Sequence, residues 1–219
     1  MKNIFSPDSF LMRALTLFYD IMCLNALFLV CSIPIFTAGA SATALYSLIF
    51  KRIRGEEFKI GKTFFAEFKA NFKQATLFWV PYILIIAFLI ADVYISHNFL
   101  EKPFSYLQYP ASIMIFVIVF TTVLVFPQMA LFKSKTKQII KNSILLSIVN
   151  FPIVFMVLAL HFLIFLIADL SAKCTVIVGS LLVFFGFAGL AYFFSLFYRK
   201  IFLKALGDKA ENEDEEPVI

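Results

Sequence analysis

Five apolar stretches, each long enough to cross a lipid bilayer as a helix, constrain this sequence more than any other feature. They cover about residues 15–35, 74–96, 109–132, 142–170 and 174–198. A helix needs about 20 apolar residues to cross roughly 30 Å of hydrocarbon. The hydrophobic content of 62% and the 30 Phe residues also exceed what one soluble core can bury. The sequence therefore predicts an all-α, polytopic membrane helical bundle with five transmembrane helices.

The segment after the first span departs from this simple pattern. Pro34 should end the first helix, and the small residues that follow, among them Gly39 and Ser41, allow the backbone to turn. The apolar helix expected over about residues 42–50 is too short to cross the bilayer alone. This length predicts a re-entrant or interfacial helix packed against the bundle.

A charged turn and a second amphipathic segment come next. The turn contains Arg54, Gly55 and Glu56. Over residues 62–73, four aromatic side chains, Phe64, Phe65, Phe68 and Phe72, are expected on one helix face, opposite Lys62, Glu67, Lys69 and Lys73. This pattern predicts an amphipathic helix that lies on the cytoplasmic membrane surface.

The distribution of Lys and Arg predicts the orientation. Seven of these residues lie in 37–73, four in 133–141 and four after the fifth span. Because loops rich in Lys and Arg stay in the cytoplasm, the 51–73 segment and the C-terminus should be cytoplasmic. The N-terminus would lie outside if all five spans cross fully, and inside if the short helix forms a half-membrane hairpin. Both alternatives remain open.

The two ends of the chain carry different signals. At the N-terminus, Ser6 and Pro7 predict the start of a helix. Residues 1–206 are expected to form a single membrane domain. Residues 207–219 are acidic and polar, which predicts a disordered tail.

Few polar residues fall inside the predicted spans. For Asp20, an interfacial position and a buried functional role are both open, whereas Asn25 is expected to make an interhelical hydrogen bond. Asn150 and His161 are eleven residues apart, close to three helical turns, which predicts a polar stripe along one helix. These scattered groups form no catalytic or metal-binding motif and no phosphate-binding loop. We therefore expect no enzyme activity, no cofactor, no nucleotide binding and no nucleic-acid partner.

Several short motifs in the first third carry a family resemblance: Phe5-Ser6-Pro7-Asp8-Ser9, Asp20 with Leu24-Asn25, Ser32-Ile33-Pro34, Gly39-Ala40-Ser41, Arg54-Gly55-Glu56-Glu57, and residues 68–76. With these motifs the chain resembles the YesL family of bacterial integral membrane proteins. That resemblance implies a genomic setting beside carbohydrate ABC importers and glycan-degrading enzymes, and it implies no catalytic residues.

Two functions are expected from the sequence and this resemblance. The first is an accessory subunit that binds membrane lipids and the permease subunits of a carbohydrate ABC importer. The alternative is a small independent transporter or channel that uses Asp20, Asn150 and His161 in its path.

Overall fold

The computed structural model describes residues 10–99, 101–102 and 104–210. The chain folds into α-helices joined by short connectors. The helices are α1 (Phe10–Ser32), α2 (Ala38–Ile53), α3 (Ile60–Asn98), α4 (Gln108–Thr122), α5 (Val125–Leu131), α6 (Thr136–Val149), α7 (Phe151–Asp169), α8 (Ala172–Leu181) and α9 (Phe187–Ala210). The predicted helix start at Ser6 and Pro7 lies outside the described residues, as does residue range 211–219. Helix α9 continues beyond residue 206, where the domain was expected to end.

Five helical segments of the described chain are long and apolar enough to cross a membrane. They are Leu11–Ser32, Ile60–Asn98, Phe104–Leu131, Phe151–Asp169 and Ala172–Leu203. Few side chains on these segments are buried in the isolated chain, and many Leu, Ile and Phe residues are exposed. Such surfaces are stable when acyl chains cover them. The predicted all-α membrane bundle with five spanning helices is confirmed.

Helices α1 and α2 form an antiparallel hairpin around Pro34. The proline has extended backbone angles (φ −74°, ψ 111°), and a single 3₁₀ turn over Ile35–Thr37 connects it to α2. The Ser41 hydroxyl donates to the Phe28 carbonyl across the hairpin at 2.9 Å. The start of α1 therefore lies toward the same end of the molecule as the end of α2.

Helix α2 is the centre of the bundle and packs against α1, α3, α5 and α9. It has 16 residues, which corresponds to about 24 Å. Leu48 is fully buried on it, as are the small residues Ala40, Ser41 and Ala44. The helix predicted over residues 42–50 is thus longer at both ends. Its start is earlier because the small residues expected in the turn are helical. Its length still falls short of the bilayer core.

The amphipathic segment 62–73 is not a separate surface helix, contrary to the prediction. It is the first part of α3, which runs for 39 residues, or about 58 Å. Phe64 is fully buried against α2, and Phe68 packs beside it, whereas Phe65 is 53% exposed. Packing on α2 explains the continuity, since the aromatic face has a protein partner and the helix need not bend onto the membrane.

The predicted span 142–170 is also wrong as one helix. The chain breaks at Asn150, which separates α6 from α7 and has non-helical angles (φ −107°, ψ 36°). Pro152 follows two residues later in the first turn of α7 and lacks the N–H that a continuous helix would use. The predicted polar stripe is lost, because Asn150 lies at the break itself and only His161 lies within α7.

The third spanning segment is divided into two helices. Helix α4 ends at Thr122 and α5 begins at Val125, just before Pro127. The hydroxyls of Thr121 and Thr122 donate to carbonyls one turn earlier. The third span is therefore kinked near Pro127.

A π-helical turn over Leu182–Gly186 joins α8 to α9 and was not predicted. Gly186 lies inside this wide turn, where a Cβ atom would be 2.7 Å from the Leu182 side chain of the same helix. Gly179 and Gly189 have open space at their Cβ positions. Neither Gly179 nor Gly189 therefore makes a close contact between helices of this chain.

Candidate functional site

Three contacts bring several helix ends together at one end of the molecule. The Lys51 ammonium lies 2.8 Å from the Glu67 carboxylate, which ties the end of α2 to the start of α3. The Gln74 side chain donates to the Ser134 carbonyl at 2.7 Å. The connector 132–135 also reaches α9, through rings of Phe132 and Phe202 that are 5.7 Å apart. We call this region the basic end, because it carries most of the Lys and Arg residues of the described chain.

Asp20 is paired with a cation on the neighbouring helix. Its carboxylate accepts a charged contact from the Arg52 guanidinium at 2.8 Å. The Asp20 side chain is 11% exposed and that of Arg52 is 28% exposed. A carboxylate in a poorly hydrated position is stable when a cation neutralises it. Asp20 therefore joins α1 to the last turn of α2.

The last turn of α2 and the charged turn after it carry three cations with separate acidic partners. In addition to Lys51 and Arg52, the Arg54 guanidinium contacts the Glu56 carboxylate at 2.5 Å. Gly55 between them has φ +79°, a left-handed conformation that favours glycine. The charged turn predicted at these residues is therefore present. Its ion pair is partly exposed to solvent.

Asn25 holds α1 against the π-helical turn. Its side-chain nitrogen donates to the carbonyls of Leu182 and Val183 at 3.0 and 2.7 Å. Its side-chain oxygen accepts from the Ala188 amide at 2.9 Å. A π turn disturbs the regular backbone bonds of a helix, and the amide of Asn25 satisfies three of the affected groups. The interhelical hydrogen bond expected for Asn25 is present in the structure.

Gly39 lies at a close contact between α2 and α3. A Cβ atom at this position would lie 2.7 Å from Trp79 Cβ and 3.2 Å from the Ala75 carbonyl oxygen. The indole N–H of Trp79 donates to the Ile35 carbonyl at 2.7 Å. The hairpin tip is therefore fixed to α3 by a glycine contact and a hydrogen bond.

The remaining candidate residues have local roles. The rings of Phe68 and Phe72 pack together 5.5 Å apart on the inner face of α3. Asn150 donates to the Leu146 carbonyl at 3.0 Å, within its own turn. His161 Nδ1 lies 2.8 Å from the Val157 carbonyl, and its ring stacks on Phe194. The structure thus brings Asp20, Asn150 and His161 into separate contacts rather than into one site.

A concave groove lies at the basic end of the described chain. Its volume is about 790 Å³, and it lies between α2, α3, α5 and the 132–135 connector. We call it the basic groove, and its charged lining residues are Lys51, Arg54, Lys73, Lys133, Lys135 and Glu67. The groove contains none of Asp20, Asn150 and His161. Sequence analysis recognised its lysines only as topology signals, since their convergence depends on the contact between α3 and the connector.

Arg52 and Glu67 are the residues that sequence analysis missed as partners. Glu67 was assigned to a solvent-facing helix side, although it pairs with Lys51. In the part of the chain that the structure describes, no three His, Cys, Asp or Glu side chains come together as a metal site.

Comparison with known proteins gives one match. Residues 21–93 match the family model described as a protein of unknown function, DUF624. Neither the curated proteins nor the solved structures gave a match. The matched range includes about half of α1, all of α2 and most of α3. It therefore covers the hairpin tip, the Gly39 contact and Arg52, whereas Asp20 lies one residue before it. The chain is similar over this range to an uncharacterised family.

Proposed function

We propose that this chain is a partner subunit of a bacterial carbohydrate ABC importer and that it binds the permease subunits through its lipid-facing helix sides. The link to carbohydrate import comes from the resemblance to the YesL family. The protein would act in the cell membrane and support uptake without contacting the sugar.

The proposed role in packing against permease helices rests on one observation. The polar side chains best suited to a solute path are engaged inside the chain: Asp20 by Arg52, Asn25 by the π turn, and His161 by the preceding helical turn. A path for a sugar needs polar groups that face a common space, and these groups make separate contacts. The outer helix surfaces are apolar and suited to contact with other membrane helices.

Small residues on the outer surface offer a position for such a contact. Gly179 and Gly189 have open space above them in this chain. Glycine lets a neighbouring helix approach closely in a membrane. A partner helix at either glycine would make a close contact that the isolated chain does not.

The orientation is part of the proposal. We propose that the basic end, including residues 51–73 and the C-terminus, faces the cytoplasm, because Lys and Arg concentrate there. The α1–α2 hairpin would then start on the cytoplasmic side. A Glu57→Cys variant without the native cysteines should resist an impermeant thiol reagent in intact cells. Labelling from outside would contradict this orientation.

Purification and growth test the partnership. The tagged chain, extracted in mild detergent from cells grown on a complex glycan, should carry the two permease subunits, identified by mass spectrometry. Deleting the gene should reduce growth on that glycan and leave growth on glucose unchanged. Gly189→Leu should reduce permease recovery while the variant remains folded.

A transport experiment separates the alternative function. Purified chain in liposomes should not take up oligosaccharide, and His161→Ala should not change growth on the glycan. Uptake by the chain alone, abolished by Asp20→Asn together with His161→Ala, would show that it is an independent transporter.

A further inference from the structure

We propose that the basic groove binds the phosphate headgroup of an anionic phospholipid. The groove is a concave space of about 790 Å³ where α3 meets the 132–135 connector. The connector is held in place by the bond from Gln74 to the Ser134 carbonyl. The cations around the groove therefore come from two chain segments that are fixed relative to each other.

The charges in the groove are not balanced. Glu67 is the only acidic residue among the lining residues, and it is paired with Lys51. Arg54 contacts Glu56. Among the described residues, Lys73, Lys133 and Lys135 have no acidic partner within 4.0 Å. Three ammonium groups thus converge on one space without an internal counter-ion, which favours an anion with several acceptor oxygens.

The walls of the groove indicate where the anion comes from. Apolar side chains line it beside the lysines, namely Leu77, Met129 and Leu131. Leu77 is 65% exposed, although it lies only one helical turn from Lys73. A soluble phosphate would leave this apolar wall uncovered, whereas the acyl chains of a phospholipid would cover it.

The position of the groove along α3 also favours a phospholipid headgroup as the ligand. Before residue 74, the exposed side chains of α3 include Lys62, Lys69 and Lys73. After it, they include Leu77, Leu84 and Phe88. The groove therefore lies where the helix surface changes from charged to apolar, the level at which phospholipid headgroups are found. Basic pockets at this level bind anionic headgroups in other membrane proteins.

Lipid titration of the purified protein in detergent tests the proposal. Bound lipid is counted by native mass spectrometry while phosphatidylglycerol or phosphatidylcholine is added, and the thermal unfolding midpoint is followed in parallel. Phosphatidylglycerol should bind at low stoichiometry and raise the midpoint, and phosphatidylcholine should do neither. The prediction concerns the chain alone and does not depend on an importer partner.

Two matched triple variants separate a site from general charge attraction. Lys73→Gln/Lys133→Gln/Lys135→Gln removes the unpaired groove cations, and each should contribute a factor of roughly five, giving about 100-fold weaker binding in total. Lys59→Gln/Lys62→Gln/Lys69→Gln removes the same charge from exposed positions that do not line the groove. Equal losses in both variants would overturn the proposal.

Two further measurements address the source of the anion and the fold. Glycerol 3-phosphate at millimolar concentration should not displace phosphatidylglycerol, and displacement would assign the groove to a soluble phosphate compound instead. Leu77→Gln, which leaves the charge unchanged, should weaken lipid binding, and unchanged binding would contradict a lipid occupant. Lys135→Gln alone, on the exposed connector, keeps the test available if the triple variant does not fold.

Discussion

Helices α2 and α7 differ in a way that is specific to a membrane solvent. Helix α7 is apolar over nearly its whole length, yet Val154 and Val157 are its only fully buried residues. Helix α2 carries Ser41, Thr43 and Ser47 and ends in Lys51 and Arg52, yet most of its side chains are buried. The more apolar helix is therefore the more exposed one.

The difference follows from what surrounds each helix. Lipid covers an apolar surface as well as protein does, so a helix with only apolar side chains gains little by moving to the centre. A helix with hydroxyls and charges gains partners there: Ser41 donates to the Phe28 carbonyl of α1 at 2.9 Å, and Lys51 pairs with Glu67 of α3. Small side chains on α2 also allow four neighbouring helices to approach it closely.

Substitution at Gly39 should have the largest effect on stability, because it would disrupt the close packing of the central helix α2 against α3. Gly39→Leu places atoms where Trp79 Cβ and the Ala75 carbonyl already lie, and backbone cannot move away as a flexible side chain could. We expect a loss of folded protein in membranes, corresponding to more than about 3 kcal/mol. The folded yield and the thermal midpoint in detergent measure it. Gly179→Leu is the control, since open space surrounds that glycine, and its midpoint should match the unmodified chain.

Truncation of one leucine on each helix tests directly whether α2 and α7 differ in how much a side chain contributes to stability. Leu48 is fully buried on α2, so Leu48→Ala leaves a cavity and should cost about 3 kcal/mol. Leu163 on α7 is 49% exposed, and lipid can fill the space that Leu163→Ala creates. The second variant should change stability by about 0.5 kcal/mol or less. Similar losses measured by denaturant titration in micelles would contradict lipid exposure of α7.

Breaking the ion pair between α1 and α2 should destabilise the fold less than the changes at Gly39 and Leu48. Asp20→Asn leaves the Arg52 charge without its partner and should cost about 2 kcal/mol, less than for a fully buried pair because both side chains retain some exposure. Arg52→Gln should cost a similar amount. The double variant should be less destabilised than the sum of the two, by about 1 kcal/mol or more. Additive losses would show that the two residues act independently.

The architecture was predictable wherever hydropathy or a strong local signal determines it. Spanning helices follow from apolar length, and Pro34 ends α1 as expected. The pair of Asp20 and Arg52 could also have been found, since each is sixteen residues from Phe36 at the hairpin tip. An antiparallel hairpin centred there places them opposite each other.

Other features depend on contacts that the local sequence does not determine. The continuity of α3 results from packing on α2, and amphipathicity alone fits a surface helix equally well. Hydropathy concealed the break at Asn150, although Pro152 was a visible signal against a continuous helix. The partner of Asn25 is a turn made only of Leu, Val, Phe and Gly residues, which carries no polar pattern. The basic groove forms only when the connector reaches α3.

The π-helical turn at Leu182–Gly186 is equivalent to a one-residue insertion in an otherwise α-helical segment. Each residue advances the helix by about 100°, so removing one residue here would rotate every later side chain of α9 relative to α8. Phe194, Tyr198 and Phe202 now point into the core beside α2. A deletion within the turn would turn them away from that core and leave the amide of Asn25 without its acceptors. The length of this turn is therefore coupled to the residue at position 25, and a change in one requires a change in the other.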